Sequence, residues 1–155
     1  LFLPMFNMLS TDGITSPNLS LGGAGALRWE SYLSNTMTIG AEVGGSVALS
    51  PNRHALFMVP ITARWSYIFR RFPYEFPVSA GVGVNFSRFL EKLKVDPVVK
   101  LGGGLYWNYS TQWAFGLNAV YWIVPQIYLP GSEAGPDSSR IGNYLEFSLS
   151  ALYHF

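Results

Sequence analysis

The residues able to do acid, base or metal chemistry in this chain are few and scattered. His54 and His154 are its two histidines, and cysteine is absent. Nucleophilic catalysis pairs a hydroxyl or thiol with a nearby base, and zinc sites use clustered Cys, His or carboxylate ligands. Neither histidine precedes a serine by two positions or lies among clustered carboxylates. We therefore expect no catalytic residue, no metal site and no cofactor, and we expect that the protein is not an enzyme.

A glycine run, Gly102-Gly103-Gly104, is the other motif that needs an explanation. Phosphate-binding loops place glycines between a strand and a helix, whereas this run is followed by continued alternation of apolar and polar residues. Glycines in a curved strand relieve crowding or allow a bend. We interpret the run as a packing feature of a strand.

Charged residues are scarce, and a subset of them falls at regular positions. They make up 12% of the chain, against roughly 25% in a typical globular domain. The net charge is +1 with both signs scattered, which excludes the basic stripe of a nucleic-acid-binding protein. The charged residues that occupy the polar face of predicted strands are Arg28, Glu30, Glu42, Arg64, Arg70, Lys100 and Glu146. We expect them to form a charge network inside the fold, because buried charges must be paired or solvated.

The strands are predicted from an alternation of apolar and polar residues, which in a strand sends neighbouring side chains to opposite faces. Seven segments alternate in this way: 19–32, 37–50, 57–70, 78–87, 99–109, 115–124 and 145–155. Residues 1–10 are apolar at almost every position and are expected to supply an eighth strand. The chain is thus predicted to be all-β, with one domain over residues 1–155.

The predicted connections have two lengths. The long ones are residues 11–18, 91–96 and 131–142, and the short ones are 34–35, 50–53, 72–75 and 110–112. Apart from the brief connection at 50–53, long and short connections alternate, as extracellular loops and periplasmic turns do in outer-membrane barrels. This pattern predicts an antiparallel, up-and-down, eight-stranded transmembrane β-barrel with both ends of the chain at the short-turn rim.

The polarity of the two strand faces distinguishes a membrane barrel from a soluble, lipocalin-like barrel. No stretch approaches the roughly 20 apolar residues of a membrane-spanning helix. Seven charges among many Gly, Ser and Thr are too few to solubilise an outer surface. Rows of Trp, Phe, Tyr and Leu would also overfill an eight-stranded interior, which is only just wide enough for side chains. We therefore expect the large apolar residues to face lipid.

Aromatic residues of the apolar face lie near the predicted periplasmic ends of the strands. Trp and Tyr favour the membrane–water interface, where an apolar ring and a polar tip are both satisfied. The predicted interface girdle comprises Trp29, Trp65, Tyr67, Trp107, Tyr109, Trp113, Tyr153 and Phe155.

The final strand, residues 149–155, carries apolar residues at alternate positions and ends in Phe155. In this it resembles bacterial outer-membrane β-barrel proteins as a class; members of similar size include the OmpX-like, OmpA-barrel and OmpW-like groups. The resemblance implies location in the bacterial outer membrane and contact with its lipid. It also implies recognition by the barrel-assembly machinery through the strand that ends in Phe155, and allows other envelope proteins as partners.

Three functions stay open on the sequence alone. The first is a structural or interaction role, with the interior plugged by the charge network. The second is a narrow channel or lateral conduit for small or hydrophobic solutes, with a lumen pocket expected at Leu56, Met58, Trp122 and Tyr128. The third is a barrel that forms one domain or subunit of a larger outer-membrane assembly. A catalytic use of the network is the least favoured interpretation.

Overall fold

The protein is all-β. A computed structural model describes residues 2–5, 9–11, 14–16, 22–49, 55–89, 92–126 and 140–154. The strands are β1 Phe2–Met5, β2 Leu9–Thr11, β3 Ile14–Ser16, β4 Gly23–Tyr32, β5 Met37–Leu49, β6 Ala55–Arg71, β7 Tyr74–Phe89, β8 Lys92–Asn108, β9 Trp113–Gln126 and β10 Arg140–Tyr153. Among these residues, no helix is long and apolar enough to cross a membrane.

The long strands form one antiparallel sheet. Its order is β1-β10-β9-β8-β7-β6-β5-β4, and β2 and β3 pair separately as a two-stranded sheet. From β4 to β10, each strand pairs with the next strand along the chain, which is the up-and-down arrangement that the alternation predicts. β1 adds four residues at the outer edge of β10, from Phe2 opposite Glu146 to Met5 opposite Asn143.

One end of the sheet, here called the turn end, is closed by tight connections at residues 33–36, 72–73 and 109–112. The first and last share a local device. The Ser34 hydroxyl accepts hydrogen bonds from the backbone N–H groups of Thr36 and Met37, and the Ser110 hydroxyl accepts them from those of Gln112 and Trp113. Serine at the start of such a turn satisfies N–H groups that the strands leave unpaired. The opposite end is called the loop end.

The sheet curls until its inner face encloses an interior. Glu42 on β5 and Lys100 on β8 lie three strands apart in the sheet, yet their charged atoms are 2.5 Å apart. Such a contact is impossible across a flat sheet, in which neighbouring strands are about 4.8 Å apart. The seven long strands therefore form a curled, half-barrel-like sheet.

Polarity is inverted relative to a water-soluble barrel. Along β6, buried and exposed residues alternate, with Thr62, Arg64 and Ser66 buried and Ile61 and Trp65 exposed. Across the sheet, large apolar side chains dominate the outer face, while Glu, Lys, Arg, Asn and Ser are among the buried residues. The apolar-inside arrangement of a lipocalin-like barrel is not what the described strands adopt.

Two predicted connections are wrong. Residues 91–96 were expected to form a long loop, but β8 begins at Lys92, so that Lys94 and Asp96 are strand residues. Their charges are tolerated there because they pair with each other at 3.0 Å. Residues 11–18 were also expected to be a connection, yet β3 occupies Ile14–Ser16.

Residues 1–10 do not supply a single strand: among those described, Phe2–Met5 form β1, which pairs with β10, whereas Leu9 and Ser10 belong to β2, which pairs with β3. Alternation fixes the register of a strand where one face is enclosed, and the hydrophobic run of residues 1–10 lacks it. The sequence therefore does not show that these residues divide between two sheets.

Small residues on the inner face make room for large ones. A Cβ atom added to Gly104 would lie 2.6 Å from Oδ1 of Asn118, and one added to Gly116 would lie 2.5 Å from the Tyr106 ring. Both are closer than real Cβ contacts. The interpretation of the glycine run as a packing feature is confirmed at Gly104.

Candidate functional site

The centre of the interior is a buried carboxylate that holds three cations. Glu42 is 2% exposed in its side chain, and Arg28 lies 2.6 Å from its Oε2 atom. Nη1 of Arg64 lies 3.1 Å from the same oxygen, and Nζ of Lys100 contacts Oε1 at 2.5 Å. The three cations come from β4, β6 and β8, so Glu42 joins three strands besides its own.

A second carboxylate supports Arg64 from the turn end of the sheet. Nε of Arg64 lies 3.1 Å from Oε1 of Glu30. The hydroxyl of Thr38 donates a 2.6 Å hydrogen bond to Oε2 of Glu30, which occupies its other oxygen. Arg64 therefore bridges two carboxylates, a geometry for which its planar guanidinium is suited.

Glu146 joins this group through Trp122 on β9. The indole nitrogen of Trp122 donates a 3.1 Å hydrogen bond to Oε2 of Glu146, and the ammonium of Lys100 lies 3.8 Å from the centre of the indole ring. A cation over the face of an indole is attracted by the ring quadrupole. Lys100 thus has an anion on one side and an aromatic face on the other.

These residues are hereafter called the interior charge cluster: Arg28, Glu30, Glu42, Arg64, Lys100 and Glu146. The cluster carries three positive and three negative charges, so it is formally neutral. Desolvating ions is costly, and the cost is offset only when partners are close and remaining polar atoms are bonded. The distances above meet that requirement.

Arg70 lies outside the cluster. It is on β6 near the turn end, where its Nε atom lies 3.1 Å from Glu75 and its Nη1 atom donates to the backbone oxygen of Asn35 at 2.6 Å. Its guanidinium also lies 5.2 Å from the ring centre of Tyr32. Its side chain is 39% exposed, so it belongs to the rim of the sheet.

On the loop-end side of the charge cluster, the interior is filled by apolar side chains. Trp122 is 1% exposed, and Leu56 and Met58 are also buried beside it. The members of this apolar cluster are Ala48, Leu56, Met58, Val98, Val120, Trp122, Val124 and Tyr144. Three of the residues expected to line a pocket therefore pack into one hydrophobic group, and Tyr128 lies outside the described residues.

Most of the exposed aromatic residues, though not Phe57 and Phe86, lie toward the turn end. Trp113 stacks on Phe115 with ring centres 6.3 Å apart, and it meets Tyr153 edge-on at 5.1 Å. Trp107 meets Tyr109 at 5.7 Å. Trp29, Trp65 and Tyr67 lie on the turn-end half of their strands, and Phe155 lies outside the described residues.

The sequence missed a second buried polar group, on β7 and β8. Asn85 pairs in register with Asp96, and both are almost fully buried. Within the described part of the chain, neither side-chain atom of Asn85 has a hydrogen-bond partner, nor does Oδ2 of Asp96. The alternation would have placed Asp96 on the inner face if β8 had been extended back to Lys94.

One of the two histidines, His154, lies within the described residues. His154 lines a cavity of about 920 Å³ at the turn end together with Arg70 and Glu75. His54 lies outside the described residues. Among those residues, no group of three or more His, Cys, Asp and Glu side chains is placed to hold a metal ion.

A second cavity, of about 1050 Å³, lies where the curled sheet brings β4 near β10. Residues 24–28 of β4 and 146–152 of β10 line it, together with residues 103–106 of β8 and 117–119 of β9. It is called the seam cavity below.

Comparison with known proteins places the chain in a family. A protein-family model matches residues 1–153. An uncharacterized protein of Treponema pallidum is 28% identical over 136 residues, which cover 87% of this chain and 60% of that protein. An uncharacterized protein of Borreliella burgdorferi is 26% identical over 129 residues, covering 69% of this chain and 61% of that protein.

The chain thus spans about 60% of the length of the curated relatives it matches. No solved structure matches it. Because the family model covers nearly every residue, the chain belongs to that family, a bacterial family with relatives in spirochaetes.

Proposed function

We propose that the chain is an integral β-barrel protein of the bacterial outer membrane, with a structural or interaction role. The inverted polarity supports this proposal, since a surface of Leu, Val, Phe and Trp has lipid as its natural solvent. The partners that follow are outer-membrane lipid, the barrel-assembly machinery acting on the C-terminal strand, and other envelope proteins.

In this proposal the barrel has eight strands and is closed. In the hydrocarbon of a bilayer each unpaired backbone group costs several kcal/mol, so spanning sheets close on themselves. The pairing of β1 with β10, which extends the row of seven long strands by one, supports an eighth strand.

A plugged interior is favoured by one observation above all. The two carboxylate oxygens of Glu42 form ion pairs with cations from three strands. The apolar cluster fills the interior on the loop-end side of these ion pairs. Ions would have to break the charge cluster and then cross hydrophobic packing to pass through. The charge cluster therefore acts as a structural plug that fixes the strands around it.

The second candidate is a lateral conduit or narrow channel for small or hydrophobic solutes. The seam cavity favours it, because Leu27 and Leu149 line its outer part while Arg28 and Glu146 line its inner part. A solute could enter such an opening from the lipid side.

Refolded protein in planar bilayers and vesicles tests these functions together. We expect heat-modifiable electrophoretic migration, which marks a folded barrel, and no steady conductance next to an open porin as positive control. Steady conductance would favour the channel, and protein-dependent uptake of an apolar dye would favour the conduit. Mobility that is identical before and after boiling would contradict the barrel itself.

A further inference from the structure

The cavity at the turn end, of about 920 Å³, has the size and lining of a small-molecule site. Residues from the connections β4–β5, β6–β7 and β8–β9 line it together with His154. Ligand sites in proteins measure about 300 to 1,000 Å³ and combine aromatic side chains with a few polar groups. This cavity is hereafter called the turn-end cavity.

Hydrogen bonds hold the walls of the turn-end cavity together. Nη1 of Arg70 donates to the backbone oxygen of Asn35 at 2.6 Å, which ties the β4–β5 connection to β6. The backbone N–H of Asn108 donates to the backbone oxygen of Pro73 at 2.9 Å, which ties the end of β8 to the β6–β7 connection. A site whose walls are already fixed loses less conformational entropy when a ligand binds.

The charges of the cavity balance each other. Arg70 and Glu75 are the acidic and basic residues among its described lining, and they pair at 3.1 Å. An anionic ligand would compete with Glu75 for the guanidinium, and a cationic ligand would compete with Arg70 for the carboxylate. The lining therefore favours a ligand without net charge.

Uncharged hydrogen-bonding groups are available beside this ion pair. Asn35, Asn108 and Thr111 line the cavity. Within the part of the chain that the structure describes, their side chains make no hydrogen bond. A side-chain amide offers two N–H donors and an acceptor oxygen, which match the hydroxyl and amide groups of a neutral polar ligand.

Aromatic rings are exposed at the same cavity. Phe72 is 89% exposed and Tyr32 is 50% exposed, and both line it. The C–H groups on one face of a sugar ring are apolar and weakly positive, so they pack against the negative face of an aromatic ring. A sugar thus satisfies both the aromatic rings and the amide groups of the lining.

We propose that the turn-end cavity binds an oligosaccharide, with Asn35 and Asn108 hydrogen-bonded to its polar groups and Phe72 packed against a sugar ring. This inference names a partner for the interaction role, and it rests on the proposed function for the periplasmic position of the turn end. Glycan strands of the cell wall and free oligosaccharides share the required chemistry in that compartment.

Titration calorimetry of protein folded in micelles of a detergent without a sugar headgroup tests the inference. The probes are oligomers of N-acetylglucosamine for wall glycan, maltose oligomers for free oligosaccharides, and a wall stem peptide that carries no sugar. Asn108→Ala and Phe72→Ala remove side-chain contacts but leave the backbone bonds of the walls. The matched controls, Asn143→Ala and Phe57→Ala, lie at the loop end. Each variant is first checked for heat-modifiable migration.

We expect the N-acetylglucosamine oligomers to bind, and each cavity variant to weaken binding about 3- to 10-fold, the loss of one hydrogen bond or ring contact. The control variants should bind like the unaltered protein. Preferential binding of maltose oligomers would also support the oligosaccharide site and would assign it to free sugars.

Three results in protein with heat-modifiable migration would overturn the inference: binding of the peptide alone, no binding of either sugar series, or binding that both cavity variants leave unchanged. Protein that never acquires such migration in lipid would contradict the proposed function instead. The two failures are therefore distinguishable.

Discussion

At the scale of single residues, Glu42 is the position on which the interior depends most. The alternation placed it on the enclosed face, but only the structure shows that three cations share it. Loss of one partner from a buried ionic group is costly because it leaves charge unpaired and desolvated. Removing the charge of Glu42 leaves the three cations of the charge cluster with two carboxylates, Glu30 and Glu146.

We predict that Glu42→Gln lowers the free energy of unfolding by about 3 to 5 kcal/mol, the range for breaking a buried ion pair. Urea unfolding of protein refolded in vesicles measures the change. Glu75→Gln is the matched control: it removes a carboxylate that pairs with the half-exposed Arg70 at the rim. A pair of that kind contributes about 1 kcal/mol or less. Equal effects of the two substitutions would contradict the assigned role of Glu42.

At the scale of strands, the sequence predicted the segments in which apolar and polar residues alternate. It missed the strand segments in which they do not. The alternations over residues 37–50 and 57–70 gave β5 and β6 to within a few residues. β8 was cut short because Lys92, Lys94 and Asp96 resemble a polar loop. Their place in a strand depends on the ion pair between Lys94 and Asp96, a tertiary fact that no local pattern reports.

The sequence also did not predict which residues of the charge cluster pair with each other. Alternation shows that Glu42 and Lys100 share a face, but not that curvature brings β5 against β8. Register and curl decide which charges meet, and both arise from pairing along the whole sheet. The set of inward charges was therefore predictable, while their pairing was not.

The close approach of β4 and β5 at Gly40 also yields a prediction. A Cβ atom on Gly40 of β5 would lie 2.0 Å from the backbone oxygen of Trp29 on β4, whereas one on Gly45 of the same strand would meet nothing within 4 Å. We expect Gly40→Ala to force β4 and β5 apart and to destabilise the protein by about 1 to 3 kcal/mol, as overpacking does. Gly45→Ala should change stability by less than about 0.5 kcal/mol.

The same urea titration in vesicles measures both variants. If Gly40→Ala and Gly45→Ala change the free energy of unfolding equally, then β4 and β5 are less closely paired than the register of Arg28 with Glu42 indicates.

At the scale of the whole molecule, the distribution of tryptophan separates outside from inside. Four of the five tryptophans lie on the outer face, and Trp122 is buried in the interior. A lipid-facing outer surface therefore makes a spectroscopic prediction that a water-facing one does not.

We predict that lipids brominated on their acyl chains quench the fluorescence of Trp65 several-fold more than that of Trp122. Two variants that retain only Trp65 or only Trp122, with the other tryptophans replaced by phenylalanine, are compared in the same vesicles. Equal quenching of the two residues, or none of Trp65, would argue against the outer surface as the lipid contact.

The convergence of Arg28, Arg64 and Lys100 on Glu42 also has a kinetic consequence. The pairs with Arg28 and Arg64 bridge 14 and 22 positions and lie within the β4–β5 and β5–β6 hairpins, whereas the pair with Lys100 bridges 58 positions and joins β5 to β8. A contact of that sequence separation is made late, after the loop entropy between its ends has been lost. Until the sheet has curled, the ammonium of Lys100 stays hydrated, and only a chain with the correct strand order and register brings it to Glu42.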